Sequence, residues 1–201
     1  KPSYGLVSAR GVIPLSWTQD HVGPLARSVS DAALILQVIS SYDQHDVGSG
    51  KFPAVHYPAA MEETKTAALR LGMMREPFWQ ELDPEVESAL EQALSVLLKL
   101  TASSKPVVVP MTTDRSVVSC EAFAWHQKFL AHDAEKYQPE TLRRIRAGAD
   151  IPAAIYIEKL RELQQMRRNV VEIFGQVDLI VTPTCPVLPA LIADLAAQPD
   201  Q

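Results

Sequence analysis

Val177-Asp178-Leu179-Ile180-Val181-Thr182-Pro183-Thr184 decides the fold. Apart from Asp178, its first five residues are apolar and rich in β-branched side chains, so they read as a short buried strand. Thr182-Pro183-Thr184 ends it. Upstream the same pattern recurs. Leu69-Arg70-Leu71-Gly72-Met73 resembles a strand followed by a loop through Pro77. Asp83-Pro84-Glu85 is a helix start, with an N-cap, a proline at the first helical position and an acid in the first turn. Val86, Leu90, Ala93, Leu94, Leu97 and Leu98 share one face, so that helix should run to about Leu100. Three valines enclosed by Pro106 and Pro110 read as another short buried strand. Helices over about Val117–Lys136, Glu140–Ala147 and Pro152–Phe174 complete the series. Strands alternating with helices imply an α/β layered fold.

Toward the start, Val12-Ile13-Pro14-Leu15 is a strand candidate and Asp20-His21-Val22-Gly23-Pro24 a turn. Ser30 is placed to cap a helix carrying Asp31 in its first turn and an apolar stripe of Ala32, Ala33, Leu36, Val38 and Ile39. Tyr42 to Glu63 is rich in Asp, Gly, Ser, Pro and His and reads as loop. The organisation expected is therefore a 1–41 segment, a loop-rich 42–66 linker and a helix-rich 67–201 α/β block.

The 201 residues suffice to bury a core, and 47% hydrophobic with 21% charged residues is ordinary for a globular chain. A formal charge of -5, with no basic block beyond Arg143-Arg144 or Arg167-Arg168, disfavours direct nucleic-acid binding. Every long apolar run is broken by Ser, Gln or Lys, so no membrane span is expected. Cys120 and Cys185 form no CxxC pair, which points to a reduced, cytoplasmic protein. Lys1-Pro2-Ser3-Tyr4 has neither initiator Met nor signal-peptide character and reads as the middle of a longer chain.

Chemistry is sparse. His21, His45, His56, His126 and His132 are scattered, and the six-residue step between the last two does not align two ligands on a helix face. No metal or organic cofactor is expected. No HExxH, GxSxG or phosphate-binding glycine loop occurs. Cys185 has no base near it in sequence and reads as a buried small apolar side chain. The residues by themselves give an α/β piece without an assembled catalytic site.

Three sets of segments occur in a telling order. The first is Lys1-Pro2-Ser3-Tyr4-Gly5-Leu6-Val7-Ser8, Gly11-Val12-Ile13-Pro14-Leu15-Ser16 and Asp20-His21-Val22-Gly23-Pro24-Leu25-Ala26-Arg27. The second runs from Leu69-Arg70-Leu71-Gly72 through Arg75-Glu76 to Leu82-Asp83-Pro84-Glu85-Val86. The third comprises Glu121-Ala122, Arg144, Gly148, Tyr156, Arg167 and the stretch from Asp178 to Pro189. Together they resemble the amidase-signature family over nearly the whole chain, as the C-terminal portion of that domain.

The resemblance implies an α/β/α layered fold with a mixed central sheet. It also implies a parent that cleaves a carboxamide C–N bond with a nucleophilic Ser, a cis bridging Ser and a Lys base. None of those catalytic residues is in this sequence: Ser3, Ser8 and Ser16 lack the Gly-Gly-Ser context, and Lys1 belongs to the Lys-Pro pair that follows the nucleophile. Without nucleophile, base and oxyanion hole the chain should be inactive alone. Substrate-pocket candidates are Asp20, His21, Arg144, Thr182 and Thr184. Thr182 and Thr184 should stand beside the Asp20–Pro24 turn, at the strand end where α/β ligand crevices form. Arg144 falls where related glutamyl-tRNA amidotransferase A subunits bind their substrate's carboxylate. Asp20-His21 in place of Asp-Gln, and Gln127-Lys128-Phe129-Leu130 in place of Ala-Arg-Tyr-Asp, favour a general amidase over an amidotransferase component. A non-catalytic scaffold of the same fold is a third reading. The partners expected are a small-molecule amide, the N-terminal half of the same protein, and a further copy in a homo-oligomer.

Overall fold

Residues 1–193 are described by a computed structural model, and residues 194–201, the tail of the expected 67–201 block, lie outside the described residues. In chain order the elements are α1 (Val29–Ile39), α2 (Tyr57–Glu63), β1 (Arg70–Met73), α3 (Pro84–Leu100), β2 (Ser103–Pro106), α4 (Ser116–Asp133), α5 (Pro139–Arg146), α6 (Ala153–Phe174) and β3 (Leu179–Val181). Single 3-10 turns stand at Thr66–Ala68 and Ala134–Lys136. They sort into two units, each made of two stretches of chain: Lys1–Thr64 with Asp114–Leu160, and Lys65–Thr113 with Arg161–Gln201. The 1–41, 42–66 and 67–201 blocks expected from composition follow neither unit, because each unit closes on contacts between distant stretches.

The second unit holds the sheet. Its strand order is β2-β1-β3, with both pairs parallel. Parallel neighbours need a crossover, and α3 supplies the one from β1 to β2. The α/β class expected from the sequence is thus realised. The described strands of this sheet all run one way, and the antiparallel contact, a lone bridge from Val7 to Ser40, lies in the first unit. Central β1 is buried through Leu71, 1% exposed, with Met74, Leu94 and Val177 also buried. Gly72 lets the sheet close: a Cβ there would stand 3.0 Å from Val107 Cγ2 and 3.1 Å from Val177 Cγ2.

Helix α3 begins as its sequence demands, with Asp83 Oδ1 accepting from the Glu85 N–H at 2.9 Å. For α1 the cap is Ser28, not Ser30: Ser28 Oγ accepts from the Asp31 N–H at 3.1 Å, and Ser30 is already inside the helix. The α1 stripe does not face a core either; only Ala33 is buried, and Val38 is 82% exposed. The stretch read as loop from Tyr42 to Glu63 contains α2, started by Pro58 and by the His56 ring accepting from the Ala59 N–H at 3.2 Å.

At two strands the apolar pattern misleads. Between Val12 and Leu15 there is no strand, because the Leu15 and Ser16 N–H groups are spent on the Asp20 carboxylate. In the Pro106–Pro110 stretch the ladder ends one residue in: β2 is Ser103–Pro106, Val107 N–H still donates to Met73 at 3.0 Å, and Val108 points outward. It is an edge strand, where prolines without an N–H are tolerated.

A clip joins β1 to the start of β3. Asp178 Oδ2 accepts from the Arg70 N–H at 2.7 Å and from Nε at 3.0 Å, while Oδ1 accepts from an outer guanidinium nitrogen at 2.8 Å. Those hydrogen bonds, the side-chain ones foremost, hold the Asp178 carboxyl down at about 2, against an ordinary 3.8. A carboxyl depressed by folding adds stability that is present above its ordinary pKa and lost as pH falls through the folded value. Acid melts should therefore show the unfolding midpoint falling between about pH 4 and pH 2, with Asp178→Asn shallower than the parent across that window. Parallel curves for the two proteins would remove the clip from the acid response.

In the first unit α4 packs on α5, burying Val117, Ala122 and Ile145. The approach is closest at Gly148, where a Cβ would lie 2.0 Å from the Ser119 carbonyl oxygen.

Candidate functional site

A buried polar arrangement in the first unit centres on Glu121 of α4, only 4% exposed. Its Oε2 accepts from Ser16 Oγ at 2.6 Å and from both the N–H and Oγ1 of Thr18 at 3.1 Å. Its Oε1 accepts from Tyr156 Oη of α6 at 2.9 Å. A carboxylate removed from water needs such donors in place of hydration. Burial, then the bond to Glu121, pushes the Tyr156 phenol up to about 12. In the sequence Glu121 stands out only as half of the resembling Glu121-Ala122 pair. The available signal is a lone acid in the apolar run from Val117 to Ala124; its partners Ser16 and Thr18, more than 100 positions away, are not visible there.

Two cavities in this unit meet at the segment so held. The first, of about 540 Å³, is walled by Tyr4, Arg10, Trp17, Asp20, Asp46 and Trp125 among others. The second, of about 680 Å³, has an apolar side containing Ile13 and Leu15 and a basic side with Arg115, His126, Arg143 and Arg144. Pro14 lines both. His126 shares a 2.7 Å hydrogen bond between Nδ1 and Tyr137 Oη, and burial lowers its pKa.

The sequence candidates fall into three places. Asp20 lines the first cavity, while its Oδ2 accepts from the Leu15 and Ser16 N–H groups at 2.9 and 3.0 Å, closing the turn. His21 meets Tyr4 edge to face at 5.6 Å, and its Nδ1 bonds the Gln19 carbonyl. Arg144 lines the second cavity and donates from Nε to Glu140 Oε1 at 2.6 Å. Hydrogen bonds from Arg143 first, then Arg144, hold Glu140 down at about 2. Asp20 and Arg144 therefore open on different cavities. Thr182 and Thr184 belong to the second unit. Thr182 follows β3 directly, and Thr184 lines a depression of about 540 Å³ with Val86 and Leu90 of α3 and with Cys185, Val187 and Leu188. Cys185, expected buried, is exposed, because the chain beyond Thr182 runs along the outside of α3.

Among the described residues no group of three or more His, Cys, Asp or Glu side chains is disposed to hold a metal ion. No helix among them is long and apolar enough to cross a membrane.

The family model described as Amidase matches residues 1–201. An amidase of Pseudomonas putida is 33% identical over 192 residues, covering 93% of this chain and 41% of that protein. The A subunit of the glutamyl-tRNA(Gln) amidotransferase of Trichlorobacter lovleyi is 33% identical over 232 residues, covering 100% of this chain and 47% of that one. Among solved structures, a chain from a vestigial protein complex tied to the origins of an s-triazine catabolic enzyme aligns with a TM-score of 0.85 at 25% identity, over 96% of this chain and 42% of its own. An amidase crystal structure aligns at 0.74 and 28% identity, over 94% and 41%. The chain thus spans less than half the length of the curated relatives it matches.

Proposed function

Because the chain belongs to the amidase family, we propose that it forms a pocket-bearing part of an enzyme that hydrolyses a carboxamide C–N bond. The observation that carries this reading is the match over the whole chain together with a 41% share of the amidase relative's length. The remaining residues of the catalytic fold are then those that bring the nucleophilic Ser, the bridging cis Ser and the Lys. In that scheme the serine oxygen attacks the amide carbon, its proton passing through the bridging serine to the lysine. Backbone N–H groups hold the oxyanion, the protonated amine leaves, and water releases the acid.

This chain's share is the pocket wall. Asp20 is assigned to the wall of the first cavity with His21 beside it in the same turn, and Thr184, just past Thr182 at the end of β3, to the depression along α3 in its own unit. Arg144, beside Arg115 and Arg143, is assigned to an anionic group on the acyl side when the substrate carries one. No metal or organic cofactor takes part in the proposed reaction. A cytoplasmic, reducing setting suits the two free thiols, Cys120 and Cys185.

The 201-residue chain assayed alone is expected to give background turnover on simple amides and on glutamine, and no labelling by a serine-reactive phosphonate. Sustained turnover that disappears when one serine of this chain is mutated would overturn the assignment.

A second reading, the A component of an amidotransferase, is favoured by the 33% identity to the Trichlorobacter lovleyi protein across the entire chain. It predicts a requirement for a B component together with a misacylated transfer RNA, which a general amidase does not share. The substitutions at His21 and Gln127–Leu130 weigh against it.

A further inference from the structure

We propose that Glu121 is a positioning residue that fixes residues 13–20 as the wall shared by the two cavities of the first unit. The inference deepens the amidase reading and rests on it for the word substrate, but its geometry stands independently.

The 13–20 segment has no regular structure to hold it. Ile13 and Leu15 face the second cavity, Trp17, Thr18 and Asp20 face the first, and Pro14 faces both. A strand or helix would fix these side chains through its own ladder; here two carboxylates do so, together with the Tyr4 hydroxyl, which donates to the Trp17 carbonyl at 2.6 Å. Asp20 closes the turn locally through the Leu15 and Ser16 N–H groups. Local closure does not place the turn in space. Glu121 does, reaching from α4 to Ser16 and Thr18, and it is itself tied to α6 through Tyr156. Ser16, at 1% exposure, is among the most buried side chains described.

The arrangement is asymmetric in a way that gives a test. Oε2 takes three donors from the wall, and Oε1 takes one, from a phenol that can also accept. In Glu121→Gln the amide oxygen can face Ser16 and Thr18 while the amide NH₂ donates to Tyr156 Oη. Glutamine should therefore keep the wall and alanine should lose it. A bond that merely added stability would not discriminate by segment.

Hydrogen exchange on the whole chain reads the wall directly. The expected result for Glu121→Ala is exchange about tenfold faster or more at Thr18, Gln19 and Asp20, with β1 and the centre of α6 unchanged and Glu121→Gln close to the parent. Thr18→Val removes a single donor without emptying the α4 site, and should give a smaller acceleration confined to the same amides. Unchanged exchange over 15–20 in Glu121→Ala overturns the proposal, as does acceleration spread evenly over both units. Should Glu121→Ala not fold, the Thr18→Val and Glu121→Gln pair decides on the same amides. In the active parent enzyme, Glu121→Ala should raise KM roughly tenfold with kcat less affected, and glutamine should restore it. A loosened wall with KM unchanged overturns the positioning role. Absence of amidase turnover in any form would sink the functional reading and leave the exchange result intact.

Discussion

Gly148→Ala is expected to destabilise the first unit by about 3 kcal/mol, the upper end of what overpacking costs. The added Cβ would sit 2.0 Å from the Ser119 carbonyl oxygen, 2.5 Å from its carbon and 2.9 Å from Phe123 Cβ. Two of those neighbours are backbone, which cannot rotate aside as a side-chain tip can. The clash is relieved only by moving α5 off α4, and that separation uncovers Ile145, Val117 and Ala122. Chemical denaturation should show the midpoint lowered with the slope retained. A parent-like midpoint would mean that the two helices are set farther apart than described. Glycine is required here by close approach, not by a left-handed backbone, so asparagine, which tolerates positive φ, would rescue nothing.

The second large effect falls on the sheet. Leu71→Ala should destabilise the second unit by about 3–4 kcal/mol, within the range for a large side chain truncated in a core. Leu71 is on the central strand, 1% exposed, paired to Ser104 on one side and Leu179 on the other. Strands on both sides and α3 in the crossover restrict collapse of the space left behind, which is the condition for a high cavity cost. Leu71→Met, nearly equal in volume, should cost less than about 1.5 kcal/mol. Equal melts for the alanine and methionine variants would show that the space does collapse.

Helices are the legible part of this sequence. Asp83-Pro84-Glu85 announces α3 through three local effects at once, and the observed start at Pro84 and end at Leu100 agree. The bounds of α4 and α6 also lie within a few residues of those expected. Strands are less legible, since a strand is defined by its neighbour. The valines after Pro106 carry the composition of a buried strand, yet the ladder takes Ser103 to Pro106, because register with β1 is set by Arg70 and Met73. Val12–Leu15 fails for a different reason: a carboxylate five residues on captures the N–H groups a ladder needs. The site is the least legible. Asp20 and Arg144 are picked out through the family resemblance, but their separation onto two cavities depends on how α4 and α5 lie around residues 13–20. Glu121, which joins that segment to α4, has partners 103 and 105 positions away, beyond any periodicity argument.

The Arg70–Asp178 clip spans 108 positions, and so does the order in which the ribosome delivers its halves. β1 is synthesised before its two partner strands, and β2 can join it as soon as α3 has emerged. The opposite edge of β1 then waits through α4, α5 and α6 before Asp178 arrives. During that interval a nascent chain carries a two-stranded sheet with one apolar edge unpaired, the condition that invites pairing with a neighbouring chain or capture by a chaperone. The late clip bonds Arg70 through backbone and guanidinium together, so the correct register is chosen when β3 docks and a one-residue slip forfeits all three bonds. Translation paused before residue 178 should therefore yield a protease-sensitive second unit, and release past Val181 should close it.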